Sequence, residues 1–370
     1  MYQMDLKREA WIDSWKGGLI LCVIIGHSVG AAVHVTTGLT QWILEGVYRV
    51  IYVFHMPAFF VVSGVCWHGG GAIGVFLRKK CRRLLLPYLI WGVFSVVLYL
   101  LTQKVFLAEV SGQGHYANMG GEVWWQPFVS LLHAGGWPAG EGFRANSVLW
   151  FLPCMFTVQS IYWVVDRFVP SRRCQILFSL LFCVLGWLLS EMGVGNLPWG
   201  MGLACWYICF LIWGRWFIAP ISAHLQDKML PRSPVAAKVC LSLATCAFVL
   251  ICWHTPSLWF LHNNLAWRLA FFSLGLGGAC LTMVWAREFS GILWSRIGIA
   301  SLSLMLLHKF PLIFMQNHIP FVREVIATGG MWGIACLFGC VIVVVFGCYL
   351  AHCLLARVLP LAVGMSAQRR

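Results

Sequence analysis

Charge is what this sequence has least of: Asp, Glu, Lys and Arg make up 10% of its 370 residues, against about 25% in a soluble domain. With 60% hydrophobic residues and a mean hydropathy of +0.81, that shortage excludes an ordinary soluble chain and makes lipid the main solvent. Sixteen Cys occur without one C-x-x-C pair, so neither a disulfide framework nor a zinc site is indicated, and the thiols read as small buried hydrophobes. Twelve His occur without H-x-x-x-H or H-x-x-E-H spacing, so no metal site is expected. A cleavable signal is also missing. Asp5, Lys7, Arg8, Glu9 and the α-amino group precede the first apolar run, and no small-residue cleavage site follows, so that run is expected to stay as a span. Neither an internal repeat nor a soluble domain is visible, and residues 1–370 are read as a single integral-membrane domain.

What is present is a series of apolar runs. Ten are long enough to cross a bilayer, which takes roughly 20 residues each: about 12–34, 47–67, 84–107, 147–165, 175–192, 198–218, 236–254, 264–286, 292–317 and 331–356. With the N-terminus in the cytoplasm, 20 of the 26 Lys and Arg fall at cytoplasmic ends, and Arg49, Lys104, Arg144, Arg268, Lys309 and Arg323 fall elsewhere. The expected fold is therefore all-α and polytopic, with about ten transmembrane helices and both termini cytoplasmic. The net charge of +14 is then topological, and no nucleic-acid partner is needed.

Ionisable groups at membrane depth are costly and mark functional candidates. Lys16 and His27, eleven residues apart in the first span, share a helix face about 16 Å apart along the axis. They are too far apart to share a proton but suited to two ends of one long site. His55 and His308 also fall within spans; each of the three imidazoles either packs with one bond to a helix carbonyl or joins a shared polar cavity. His34 shares the His27 face at the outer boundary. The run Arg78-Lys79-Lys80-Cys81-Arg82-Arg83 reads as a cytoplasmic loop, serving either as an anchor at an anionic leaflet or as a phosphate site. Asp13 fits the N-cap of the first span. His308-Lys309-Phe310-Pro311 predicts a kinked helix facing a polar cavity. Gly69-Gly70-Gly71-Ala72-Ile73-Gly74 formally matches G-x-G-x-x-G, but without a preceding strand it reads as a flexible connection. The stretch of about 108–146, with Glu109, His115, Asn118, Glu122, Trp124, Trp125, His133, Trp137, Glu141 and Arg144, is either an interfacial aromatic belt or a sugar-binding surface.

Several strings together resemble a known family. Trp11-Ile12-Asp13-Ser14-Trp15-Lys16, ten residues, then His27-Ser28 is one; Phe54-His55-Met56-Pro57 running on to Ser63-Gly64 is the second. Lys80-x-x-Arg83 followed by Pro87-Tyr88, Leu149-Trp150-Phe151-Leu152-Pro153, and Ile297-Gly298 through His308 complete the set. In this order they are similar to the acyltransferase-3 family of bacterial membrane O-acyltransferases, and most to its fucose 4-O-acetylase-like branch. The resemblance covers about residues 11 to 318. It implies a ten-helix domain in the bacterial cytoplasmic (inner) membrane that moves an acyl group, commonly acetyl from acetyl-CoA, to a hydroxyl of a cell-surface or lipid-linked carbohydrate. It further implies a catalytic His at His27 and a basic pair at Lys80 and Arg83. Many members carry Arg where this chain has Lys16 and Lys80, which keeps the charge and loses the bidentate fork. Members of the family can carry an appended periplasmic domain; none is seen, so the membrane domain is expected to handle the acceptor.

The implied chemistry assigns roles. His27 is the expected base, with Ser28, Ser63, His308 or Lys309 as oxyanion stabiliser. Lys16, Lys80, Arg83 and Arg78 are expected to hold acyl-CoA phosphates. Asp13, His55, Ser63 and Trp150 are substrate-binding or structural. Direct transfer is one mechanism; an acyl-enzyme on Ser28, Ser63 or His27 is the other. Partners are acyl-CoA, a carbohydrate or glycolipid acceptor and membrane lipids. A transporter of a glycolipid or small solute is the competing reading, since His-lined cavities serve transport equally well.

Overall fold

The apolar runs fold into helices that satisfy their own backbone hydrogen bonds, the condition for crossing lipid. The structure, a computed structural model, describes residues 10–69, 71–101, 125–134, 144–169, 171–194, 197–221, 235–255 and 265–365. Its helices are α1 (Ala10–Val33), α2 (Gly38–Val65), α3 (Ile73–Leu101), α4 (Gln126–His133), α5 (Phe151–Phe168), α6 (Arg172–Glu191), α7 (Pro198–Ile221), α8 (Val235–His254) and α9 (Leu265–Glu288). The short segments α10 (Ile292–Ile299), α11 (Ser301–Leu307), α12 (Lys309–Ile313) and α13 (Pro320–Thr328) follow, and then the long α14 (Gly330–Val358). Among the described residues there is no strand, and nine helices are long and apolar enough to cross a membrane. The protein is an all-α polytopic membrane protein. The ninth expected span is present as α10 to α12, broken at Ala300 and His308 and ending in a π-turn, Phe314–His318.

Burial sorts the helices. α1, α2, α5 and α7 lie inside, and their large side chains Trp15, Phe60, Tyr162 and Phe210 are fully enclosed. α6, α8 and α14 are peripheral and turn outward the apolar faces that lipid requires, with Leu177, Leu181, Leu243, Ile342 and Phe346 exposed. Two crossings bring backbones into direct contact. At one end of the bundle Gly64 of α2 faces the Leu211 carbonyl and Gly214 of α7 faces the Val61 carbonyl, so a Cβ at either glycine would strike backbone. Gly17 of α1 meets the carbonyl of Trp294, and Gly298 of α10 meets the carbonyl of Asp13 in the same way. Small residues permit such approaches, which gain van der Waals contact where lipid offers no hydrophobic drive.

Two expectations change. The basic run is helical: α3 starts at Ile73, and a π-turn at Cys81–Leu85 carries it into the apolar part of the helix. Its five cations lie on the first turns of a span and not in a loop. Asp13 is no N-cap, because α1 begins at Ala10; the carboxylate sits one turn inside the helix, 2% exposed and 3.4 Å from the Lys16 ammonium. Most of the stretch of about 108–146 lies outside the described residues. That holds for Glu109, His115, Asn118, Glu122, Trp124, Trp137 and Glu141; of its other members, Trp125 and His133 flank or close α4.

Candidate active site

The Gly17/Gly298 contact sets the site's register. His27 follows Gly17 by ten residues on α1, and His308 follows Gly298 by ten on the broken ninth span. Both run in the same direction from one contact point, so equal counts bring the two imidazoles to the same depth, with ring centroids 5.4 Å apart. The continuous helix from Ala10 to Val33 also keeps Lys16 about 16 Å below His27 on that face.

Each side chain around His27 is held by a specific partner. The Tyr52 hydroxyl lies 3.2 Å from His27 Nδ1. His55, on the next turn of α2, presents its ring edge-on to Tyr52 at 4.8 Å and uses Nδ1 on the Ile51 carbonyl, 2.8 Å away. His308 is fully buried and directs Nδ1 at the carbonyls of Leu304 and Met305, both at 2.9 Å. Its Nε2 is buried without a hydrogen-bond partner among the described residues, and a buried polar atom left so costs roughly 1–3 kcal/mol. Lys309, next in sequence, donates to Ser147 Oγ at 2.6 Å. That contact and the break at His308 answer the expectation that the lysine would avoid lipid. Ser28, fully buried, accepts from Gln316 Nε2 at 2.8 Å; Gln316 reaches it from the π-turn that ends the ninth span.

The other expected residues gather at the Lys16 end of the bundle. The Lys80 ammonium lies over the rings of Phe76 and Trp67, 5.6 and 5.9 Å from their centroids. Arg78 and Arg83 are exposed. Beneath Lys80 the Trp67 indole donates to Asp166 at 2.9 Å, and Asp166 pairs with Arg215 at 3.2 Å. Arg215 also donates to the Trp67 carbonyl at 3.4 Å. A cationic surface thus rests on a braced aromatic floor.

Ser63 and Trp150 are placed away from His27. Ser63 accepts from Gln159 at 2.8 Å and stands eight residues beyond His55 on α2, about 12 Å along the axis. It belongs with the floor under Lys80. Trp150 packs its ring against Phe151 and Tyr207 at the start of α5. Asp13 pairs with Lys16. Of the expected catalytic group, the structure brings together His27, His308 and Lys309, with Ser28 beside His27 in sequence; Lys16, Lys80, Arg78 and Arg83 occupy the far end. Tyr52, Gln316, Asp166 and Arg215 escaped the sequence reading. Tyr48, Tyr52 and His55 do recur at helical spacing on α2, a signal indistinguishable from a core stripe. Among the described residues no group of three or more His, Cys, Asp or Glu is arranged to hold a metal.

The sequence model of the acyltransferase domain matches residues 9–352 of this helical membrane protein. The chain belongs to the acyltransferase-3 family. It is similar to the nodulation protein NolL of Sinorhizobium fredii (strain NBRC 101917 / NGR234), 27% identical over 227 residues that cover 56% of this chain and 58% of that protein. It is also similar to the nodulation protein NolL of Mesorhizobium japonicum (strain LMG 29417 / CECT 9101 / MAFF 303099), 30% identical over 140 residues that cover 34% of this chain and 35% of the relative. The aligned parts thus span less than two thirds of either relative. No solved structure matches.

Proposed function

We propose that this acyltransferase moves an acyl group, acetyl in the simplest case, from cytoplasmic acyl-CoA to a hydroxyl of a cell-surface or lipid-linked carbohydrate, across the bacterial inner membrane. The observation that carries the reading is the His27–His308 pair at 5.4 Å, one helix face above Lys16, in a domain of this family. The phosphates of the donor rest on Lys80, Arg83 and Lys16, with Arg78 at the rim. The pantetheine arm, extended, spans the distance from Lys16 to His27.

In the transfer step the acceptor oxygen attacks the thioester carbonyl carbon and its proton passes to His27. A C–O bond forms, the tetrahedral oxyanion collapses, the C–S bond breaks, and the His27 proton leaves with the thiolate as CoA–SH. A positioned base supplies about 10²–10⁴ in rate. Lys309, whose charge acts on His27, supplies the cation for the developing oxyanion, while Ser28 is occupied by Gln316. The separation of Ser63 from His27 argues for direct transfer over an acyl-enzyme on Ser63. Mass spectrometry of surface glycans tests the reading: cells lacking the gene lose one acyl mass, the wild-type gene restores it, and the His27→Ala gene does not. Glycans of unchanged mass in the deletion strain would overturn it.

A further inference from the structure

His27 acts as a base only if its free nitrogen carries a lone pair, so the partner of its other nitrogen decides its chemistry. The groups that face it are Tyr52 and His55 on α2 and His308 and Lys309 on the broken span. His55 and His308 have committed Nδ1 to helix carbonyls, and Lys309 donates to Ser147. The contact at His27 Nδ1 is the Tyr52 hydroxyl, at 3.2 Å.

Tyr52 is itself held. Tyr48, one turn earlier, stacks on it with ring centroids 3.9 Å apart and planes inclined by 28°, which brings the two hydroxyls within reach of each other. The rings lie flat on α1 because two glycines leave space: a Cβ at Gly26 would come within 3.0 Å of Tyr52 Cε2, and one at Gly30 within 2.9 Å of Tyr48 Cε2. Glycine costs a helix roughly 0.5–1 kcal/mol relative to alanine, and here the spacing of the two glycines matches the spacing of the two rings.

A phenol has one hydrogen to give. When Tyr52 gives it to Tyr48, its oxygen accepts Nδ1–H of His27, and Nε2 keeps its lone pair. In the reverse arrangement Nε2 carries the hydrogen and His27 cannot take a proton. We propose that Tyr48 and Tyr52, seated on Gly26 and Gly30, are positioning residues that hold His27 in the Nδ1–H tautomer and aim Nε2 at the acceptor hydroxyl. Neither tyrosine touches a reacting atom; they act through His27, as the orienting carboxylate does in a catalytic triad. The kinetic consequence rests on the acyl-transfer reading; the tautomer does not.

The test is solid-state NMR of protein labelled with ¹⁵N-histidine in lipid bilayers, with the His27 signals assigned by their loss in His27→Ala, beside steady-state transfer from acetyl-CoA. Wild-type His27 is expected to be protonated at Nδ1 and bare at Nε2, and Tyr52→Phe to shift it toward Nε2–H. Tyr52→Phe is expected to lower kcat by roughly 10- to 100-fold, within what a positioned base supplies, with KM for the donor unchanged. Gly26→Ala, which displaces the ring, is expected to lower kcat alone and to add nothing in the Tyr52→Phe background; independent structural damage would add. Should Tyr52→Phe fail to fold, Tyr48→Phe keeps the Tyr52 ring and removes its acceptor, and the same tautomer shift is expected. Wild-type His27 protonated at Nε2, or a Tyr52→Phe protein with tautomer and kcat unchanged, overturns the proposal. Protein that transfers no acyl group overturns the function while the NMR result still decides the tautomer.

Discussion

Replacing Gly298 by alanine should cost stability and activity together. A Cβ at this position overlaps the carbonyl oxygen of Asp13, and the next nearest atoms are the Asp13 carbonyl carbon and the Gly17 nitrogen. All three are backbone, so no side chain can swing aside and the helices must separate. Overpacking a well-filled contact costs about 1–3 kcal/mol, and this site belongs at the upper end. Separation of α1 from α10 also shifts His308 against His27, and a misplacement of about 1 Å can cost 10²-fold in rate. Gly18 is the internal control. It neighbours Gly17 on α1 and has nothing within 4 Å of an added Cβ, so Gly18→Ala should be neutral or stabilising by about 0.5–1 kcal/mol. Thermal unfolding in detergent, paired with transfer rates on the folded fraction, reads both effects. Equal melting temperatures and rates for the Gly298→Ala and Gly18→Ala proteins would refute the claim that this contact sets the depth of the two imidazoles.

Lys80→Ala combined with Arg83→Ala should raise KM for acyl-CoA at least tenfold, since each lost charge-assisted phosphate contact is worth about 1.5–3 kcal/mol, while kcat at saturation is preserved; a donor titration decides. Lys16→Arg should be tolerated and Lys16→Ala should impair donor use, read by the same titration. Asp166→Ala leaves Arg215 and the Trp67 indole without their shared acceptor and should destabilise by roughly 2–3 kcal/mol, below the roughly 3–5 kcal/mol of a fully buried pair; denaturant-induced unfolding measures it.

How much of this was legible in the sequence depended on whether the determinant was local. The Lys16/His27 face could be read because a helix repeats every 3.6 residues and nothing between the two residues breaks it. Lys309 and Pro311 announced the break in the ninth span, because an ammonium in lipid and a missing amide both need an explanation. The π-turn at Phe314–His318 had no such marker, and with it went Gln316, whose reach to Ser28 joins positions 288 residues apart. Asp166 and Arg215 each looked like an ordinary charge at a span end; their pairing needs α5 and α7 to meet. Tyr52 was hidden differently, since an aromatic residue at helical spacing among apolar neighbours reads as core until its hydroxyl is seen against His27. Asp13 misled for a simple reason: the helix already runs from Ala10, before the apolar run begins, so Asp13 lies inside it.

The central claim is that His27 is the base of an acyl-CoA-dependent transfer. Purified protein in lipid nanodiscs, supplied with ¹⁴C-acetyl-CoA and a lipid-linked glycan extract, tests it most directly, because release of CoA–SH and labelling of the glycan are counted in one reaction. Wild-type protein should produce both in equal amounts, and His27→Ala protein that is folded and still binds the donor should fall by at least about 10²-fold in both. A His27→Ala protein that labels the glycan at the wild-type rate would contradict the account.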